Sequence, residues 1–583
     1  MDKLKLLVKS VREFKKPTIL TIVFIVGEVF LECLIPFITS NLVNSVKAGA
    51  PMSSVLRTGL ILVLMAVISL ACGGIAGYTC ASASAGFSRN LRHDIFARIQ
   101  GFSFANVDRF SESSLVTRMT TDISNIQMAF MMIIRTAIRC PLMVIFSVIM
   151  SYIMGGALAT MFVVIVPVFL AGLIFIAKKA MPAFKAVFKK YDRMNESIEE
   201  NVRAMRVVKG FVREEYEKDK FNRSSSNIAK DFTKAERIVA LNTPLMQLCI
   251  YFNMIFILFF GARTIVTSQG SVIDVGQISA LLSYGMQVLM SLMMVGAIYV
   301  ILTISAEAVN RVCEVLQEEP TIQNPEHPVF ELRDGSIRFE KVSFKYSEKA
   351  QKASLTAVDL KVSSGMTVGI LGGTGSGKTT LIQLIPRLYD ATEGRVFVGG
   401  RDVREYDLEA LRNSVSVVLQ KNLLFAGTIR ENLRWGSPNA SDEEINEACR
   451  LAQIDEFVAS VPGGLDFRIE QGGTNVSGGQ KQRLCIARAL LKKPKILVLD
   501  DSTSAVDMKT DALIRAGFRS YIPETTKIII AQRVASVMDA DLILIMDNGK
   551  VVASGTHEEL LVSSEIYREI YRQQINGGDE DEQ

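Results

Sequence analysis

Six stretches of this chain, approximately residues 17–43, 56–80, 134–154, 157–177, 243–266 and 278–303, are long, apolar and nearly free of charge. A hydrocarbon layer about 30 Å thick takes roughly 20 helical residues to cross. Backbone that faces lipid must also satisfy its own hydrogen bonds, so the six runs predict six transmembrane helices. The basic residues around them set an orientation. Lys3, Lys5, Lys9, Arg12, Lys15 and Lys16 precede the first run; Arg89, Arg92, Arg98, Arg109 and Arg118 lie between the second and third; and Lys178 to Arg237 separate the fourth from the fifth. The turn SYIMGGAL between the third and fourth carries no charge. Basic residues mark the cytoplasmic side, so both termini and both long connectors are expected in the cytoplasm, the connectors as helical extensions of the membrane helices. The opening MDKLKLLVKSVREFKK lacks a small-residue cleavage site and reads as a basic amphipathic lead-in on the inner membrane face.

With 583 residues the chain exceeds what one hydrophobic core organises. The membrane part is expected to span 1–316. Residues 317–335, with three prolines in QEEPTIQNPEHPVFELRDG, read as a linker. From 336 to 575 the strand-like runs SIRFEKVSF, TVGILG, SVSVVLQ, KILVLD, KIIIAQ and LILIMD alternate with helical stretches, which predicts an α/β domain with a largely parallel sheet. The fold class is therefore multidomain: an all-α six-helix transmembrane domain followed by an α/β P-loop domain. The tail 576–583, NGGDEDEQ, is acidic and expected to be disordered. A net charge of +5 is mild and argues against a nucleic-acid partner. Eight cysteines without CxxC spacing read as small core residues. His93, His327 and His557 stand isolated, with no metal site expected from them.

The chemistry is concentrated in the second half. Gly372-Gly373-Thr374-Gly375-Ser376-Gly377-Lys378-Thr379, followed by Thr380, fits GxxxxGK[ST] between a strand and a helix. Such glycines let backbone amides crowd around phosphate oxygens at a helix amino terminus. Lys378 is expected on the β- and γ-phosphates and the Thr379 hydroxyl on magnesium. Asp500, after four apolar residues in KILVLDDSTSAVD, fits the acid that holds magnesium through water. Between the two, Ser477-Gly478-Gly479-Gln480 opens a helix and forms a second anion-binding nest. Two phosphate cradles about a hundred residues apart suggest a sandwich in which this nest caps another subunit's nucleotide.

With these motifs in order, residues 336–575 resemble the nucleotide-binding domain of the ATP-binding cassette (ABC) family, and residues 1–316 the six-helix membrane domain of its exporters. The resemblance implies ATP and Mg2+ as cofactors. It also implies that Tyr346 stacks on adenine, that Gln420 senses magnesium and the membrane domain, and that VSGGQ, with Val476 where leucine is common, is the signature motif. By the same resemblance Ser504-Ala505-Val506-Asp507 crosses a dimer interface, and segments near Val107–Asp122 and Val208–Glu215 couple the two domains.

Three positions depart from the family pattern. Asp501 stands where a glutamate serves as general base, Gln532 replaces the switch histidine, and Gln471 replaces a glutamate. Glutamine cannot ionise. A carboxylate retracted by one methylene, about 1 Å, can lose on the order of 10²-fold in rate. The resemblance is closest to heterodimeric bacterial multidrug exporters in which one chain carries such a degenerate site. The expected partner is a homologous half-transporter with an intact glutamate and histidine, within the lipid bilayer. Its hydrolytic site is to be capped by Ser477–Gln480 of this chain. Expected cargo is an amphipathic drug, lipid or peptide; the same fold also serves uptake of metal chelates, or nucleotide-gated regulation without pumping. In the membrane half, Glu28 and Glu32 lie one turn apart and are expected either to meet cationic cargo or protons, or to pair with Arg135 or Arg139. Met286, Met290, Met293 and Met294 suit an adaptable cavity.

Overall fold

The computed structural model describes residues 2–269, 271–348, 350–502 and 506–576. Ser504 and Ala505 of the expected crossing loop, and the acidic tail beyond Asn576, lie outside the described residues. The chain divides into two units, Met1–Gln100 with Glu112–Glu318, and Gly101–Ser111 with Glu319–Gln583.

Among the described residues the first unit has helices and no strands. Its long helices run Lys15–Lys47, Met52–Gln100, Thr160–Arg203, Asn242–Ser268 and Val275–Gln317, and the third apolar run is formed by Ile123–Ile134 and Thr136–Gly155. Among the described residues five continuous helical stretches are long and apolar enough to cross a membrane. One of them, Glu112–Arg203, contains the third and fourth predicted spans, separated by the 3-10 turn Gly156–Ala159, so six crossings fit. Gly156 adopts φ +49°, a left-handed conformation that glycine takes without cost, which lets the chain reverse there. The helices Met52–Gln100 and Thr160–Arg203 outrun any bilayer, and their polar ends form the extensions expected for the connectors.

Near one such end Asp122, only 1% exposed, receives a forked pair of hydrogen bonds from Arg311, Nε to Oδ2 at 2.8 Å and Nη2 to Oδ1 at 2.5 Å. The planar guanidinium matches both carboxylate oxygens at once.

In the second unit a six-stranded sheet runs in the order Lys550–Gly555, Leu542–Asp547, Thr367–Gly372, Thr526–Ile530, Ile496–Asp500, Val415–Val418. Neighbours are parallel except at the Lys550–Gly555 edge. The central strands are buried on every residue or nearly so, as sheets covered on both faces require. The expectation of one largely parallel sheet holds for this layer alone. Ile337–Phe344, read as part of that alternation, belongs to a separate antiparallel sheet with Leu355–Val362, Glu393–Val398 and Arg401–Asp402. Its alternating burial, apolar inward and polar outward, is the antiparallel pattern. The proline-bearing segment before it is packed: the Val329 N–H donates to Glu405 O at 2.9 Å and the Asp407 N–H to Val329 O at 3.0 Å.

Removing Arg311 strands a buried carboxylate, which costs about 3–5 kcal/mol. Arg311→Ala should therefore lower the thermal unfolding midpoint of the purified chain sharply. Asp122→Asn combined with Arg311→Ala should recover part of the loss; no loss in the single variant contradicts this assignment.

Candidate functional site

The site grows from three adjacent parallel strands. Ile370 of Thr367–Gly372 pairs with Ile530, and Ile530 pairs with Asp500. The loops leaving these strands therefore emerge side by side, at the carboxyl edge where α/β sheets bind ligands.

The first loop is the glycine-rich turn. Gly372, Gly375 and Gly377 have φ of +157°, +79° and +99°. A Cβ on Gly372 would stand 2.2 Å from Met546 O, and one on Gly377 2.6 Å from Ser354 O, so both approaches demand glycine. At Gly373 and Gly375 a Cβ would meet nothing within 4 Å. That open side fits the phosphate chain of a nucleotide. Lys378 begins the helix Lys378–Gln383 and donates from Nζ to Gly372 O at 2.8 Å and Gly373 O at 2.7 Å, so its ammonium lies across the turn that contains Thr374 and Ser376. Burial pulls its pKa below the ordinary lysine value, opposed by the charges of Asp500 and Asp501.

Thr379 donates from Oγ1 to Asp500 Oδ2 at 3.0 Å. A hydroxyl beside a carboxylate is a set of hard oxygen donors suited to magnesium, so Thr379 and Asp500 fit that ion. Asp500 is 3% exposed. Burial raises its pKa, the Thr379 hydrogen bond lowers it, the Asp501 charge raises it and Lys378 lowers it; the net shift is upward.

Asp501 leaves the strand in a left-handed conformation, φ +50°, which a short aspartate tolerates better than most residues. Its N–H donates to Ile530 O at 3.0 Å. Its Oδ2 accepts from Gln532 Nε2 at 2.7 Å and, more weakly, from Gln420 Nε2 at 3.5 Å. Two of the three positions that depart from the family pattern, Asp501 and Gln532, are thus bonded to each other. Burial raises the Asp501 pKa, and the hydrogen bonds from Gln532 and Gln420 only partly offset it.

Tyr346 flanks the turn. Its hydroxyl donates to Gln383 Oε1 at 3.0 Å and accepts from Thr380 Oγ1 at 3.0 Å. Half of the residue stays exposed, 49%, leaving ring area open to a base. Behind it stands Tyr389, a residue the sequence reading passed over. The two rings meet edge to face at 5.2 Å, and the Tyr389 hydroxyl donates to Asp108 Oδ2 at 2.6 Å. Asp108 lies on the short helix Phe104–Phe110, whose Phe104 ring is 6.0 Å from Tyr389. The run LIQLIPRLYD places Tyr389 shortly after the helix that ends at Gln383, but nothing in the sequence pointed to its partner.

Ser477, Gly478, Gly479 and Gln480 open a different helix, Gly478–Leu491. Ser477 Oγ accepts from the Gln480 N–H while Gln480 Oε1 accepts from the Ser477 N–H, a reciprocal cap. Among the described residues no hydrogen bond links this nest to the glycine-rich turn. Asp507 caps the helix Met508–Tyr521 by accepting from the Thr510 N–H at 2.9 Å, which lowers its pKa. Gln471 is exposed in the 3-10 turn Gln471–Gly473.

In the first unit, Arg139 Nη2 donates to both oxygens of Glu32, at 2.8 and 2.7 Å, and stands 3.5 Å from Glu28 Oε1. The Glu28 carboxylate lies against Gly73, where a Cβ would come within 3.1 Å of it. Met290 and Met294 line a cleft together with Arg139.

Residues 18–293 match the family profile of the ABC transporter transmembrane region, and residues 355–504 that of the ABC transporter domain. The chain is 34% identical over 556 residues, 95% of its length and 96% of the relative's, to the uncharacterised ABC transporter ATP-binding protein YfiB of Bacillus subtilis. It is 31% identical over 482 residues, 83% of its length and 75% of the relative's, to a fatty acid ABC transporter ATP-binding/permease protein of Mycobacterium tuberculosis. A bacterial Atm1-family ABC exporter with ATP bound shares the fold at a TM-score of 0.83 and 23% identity, covering 96% of this chain and 98% of the other.

The raised pKa of Asp501 carries a sign that can be checked. The folded chain holds this proton more tightly than the unfolded chain does. The cost of the buried charge is therefore present at neutral pH and fades as pH falls through the raised value, above the ordinary carboxylate range of about 4. Asp501→Asn keeps an acceptor oxygen and removes the charge. It should melt higher than the parent at neutral pH, without nucleotide, with the gap closing on mild acidification. A gap independent of pH contradicts the shift.

Proposed function

Because the chain belongs to the ABC transporter family, as a transmembrane region followed by a nucleotide-binding domain, we propose that it is one subunit of a heterodimeric exporter whose own P-loop binds ATP and cleaves it slowly. The family carries ATPase activity coupled to transport. Here the observation that supports asymmetry is the 2.7 Å hydrogen bond from Gln532 Nε2 to Asp501 Oδ2, reinforced by Gln420.

A general base must offer a lone pair to the attacking water. Asp501 Oδ2 instead accepts from two carboxamides, on a side chain one methylene shorter than glutamate. Gln532 can hydrogen-bond a phosphate but cannot bring a positive charge to it. The binding machinery stands apart from these losses. The amides of Gly373 to Lys378 would hold the β- and γ-phosphates, the Lys378 ammonium would turn from the loop carbonyls to the phosphate oxygens, and Tyr346 would stack on adenine. Thr379, Asp500 and Gln420 would hold Mg2+, which neutralises phosphate charge when bound.

The intact Ser477–Gln480 cap then has its use on the partner's nucleotide, together with the loop ending at Asp507. In that arrangement hydrolysis proceeds mainly at the partner's glutamate and histidine, while ATP at this chain's cradle keeps the pair together. The distribution of lysine and arginine supports cytoplasmic termini and a cytoplasmic nucleotide-binding domain. An amphipathic cargo accords with the methionine-rich cleft and with the name of the fatty acid transporter among its relatives.

The two departures act on one oxygen, so their reversal should be cooperative. Asp501→Glu alone should restore little ATPase in the purified chain, because the Gln532 amide still occupies the position. Asp501→Glu with Gln532→His should raise turnover by about 10²-fold. A parent chain that already hydrolyses as fast as the double variant contradicts the proposal.

A further inference from the structure

Away from the nucleotide site, Ile123–Ile134, Thr136–Gly155 and Val275–Gln317 enclose a cleft of about 490 Å³. That lies inside the roughly 300–1,000 Å³ span of small-ligand cavities. Six methionines line it, among them Met131, Met290 and Met294, with Arg135 and Arg139 as its only charged lining among the described residues. Methionines adapt to an apolar chain of unspecified shape. The charge, by contrast, is specific.

The two arginines are in different situations. Arg139 is neutralised by Glu32 at 2.7 Å and Glu28 at 3.5 Å, and neither glutamate lines the cleft. Arg135 sits at the break between the helices ending at Ile134 and starting at Thr136, with φ −110° and ψ −68°. Its N–H donates to Met131 O at 3.2 Å, but among the described residues its guanidinium donates no hydrogen bond and makes no close ion pair, although the Glu28 charge acts on it from further off. Gly77 leaves room for its guanidinium, which would lie 3.7 Å from a Cβ at that position. A guanidinium lining a cleft with its side-chain donors unused can give charge-assisted hydrogen bonds to a carboxylate or phosphate head group.

We infer that the cleft takes a single-chain amphipathic anion, its apolar chain among the methionines and its head group on Arg135. The inference deepens the exporter reading by naming the cargo's charge, and rests on that reading for its role as cargo. A cationic amphiphile of equal length would meet like charge at Arg135 and find no carboxylate on the wall. The same anionic head could come from a free amphiphile or from a leaflet lipid.

The test uses the full-length chain in phosphatidylcholine nanodiscs with a diazirine-bearing dodecanoate as probe. Photolabelling should map to residues 131–143 and 286–294. Unlabelled dodecanoate should compete about ten-fold better than dodecyltrimethylammonium, as charge complementarity in a low-dielectric cleft requires. Arg135→Gln should lose most of the labelling, and Arg135→Lys should keep much of it. Competition by added phosphatidylglycerol as well identifies the source as a leaflet lipid; competition by dodecanoate alone identifies a free amphiphile; both uphold the charge assignment. Equal competition by the cation overturns it, as does labelling that Arg135→Gln leaves unchanged. Labelling at these residues without ATP-driven movement of the anion in inverted vesicles upholds the site and contradicts the exporter reading.

Discussion

The carboxylate of Asp501 accepts hydrogen bonds from the side-chain amides of Gln532 and Gln420, and the proposed slow cleavage turns on that contact. It arises from strand register. Ile496–Asp500 and Thr526–Ile530 run parallel with Asp500 opposite Ile530, and the Asp501 N–H is fastened to Ile530 O. Whatever follows Ile530 is thus carried to within hydrogen-bonding distance of Asp501. An imidazole there can ionise and respond to pH and phosphate; a carboxamide gives a fixed, neutral donor. The short acid and the neutral amide are one arrangement, not two separate losses.

Around that contact stand the parts proposed to grip a nucleotide. The glycine-rich turn needs its left-handed residues because Met546 O and Ser354 O press on it. Lys378 lies across the turn, and Thr379 meets Asp500. In the proposed reading binding and cleavage draw on different side chains, so one can persist while the other declines. The Tyr346–Tyr389–Asp108 chain ties Tyr346 to the short helix Phe104–Phe110 within the same unit, which connects the glycine-rich turn to residues that follow the helix Met52–Gln100 in sequence.

Much of this was legible from the sequence because it depends on local spacing. Six apolar runs, GxxxxGK[ST] and an acid after four apolar residues each encode their structure within about twenty residues. What was not legible depends on contacts between distant segments. Gln532 and Asp501 are 31 residues apart, and Tyr389 and Asp108 are 281 apart. Ile337–Phe344 reads as a strand, but its place in a separate antiparallel sheet is not legible, because an apolar alternation marks a strand without naming its neighbours. Arg135 looked like one of two interchangeable partners for the glutamates; the helix break that directs it into the cleft has no proline or glycine to announce it.

The most direct measurement is nucleotide retention in the assembled pair, with azido-ATP radiolabelled on the α-phosphate, crosslinked after a single turnover and resolved by chain. The account predicts intact triphosphate on this polypeptide while its partner holds the diphosphate. Diphosphate accumulating on both at matching rates would contradict it.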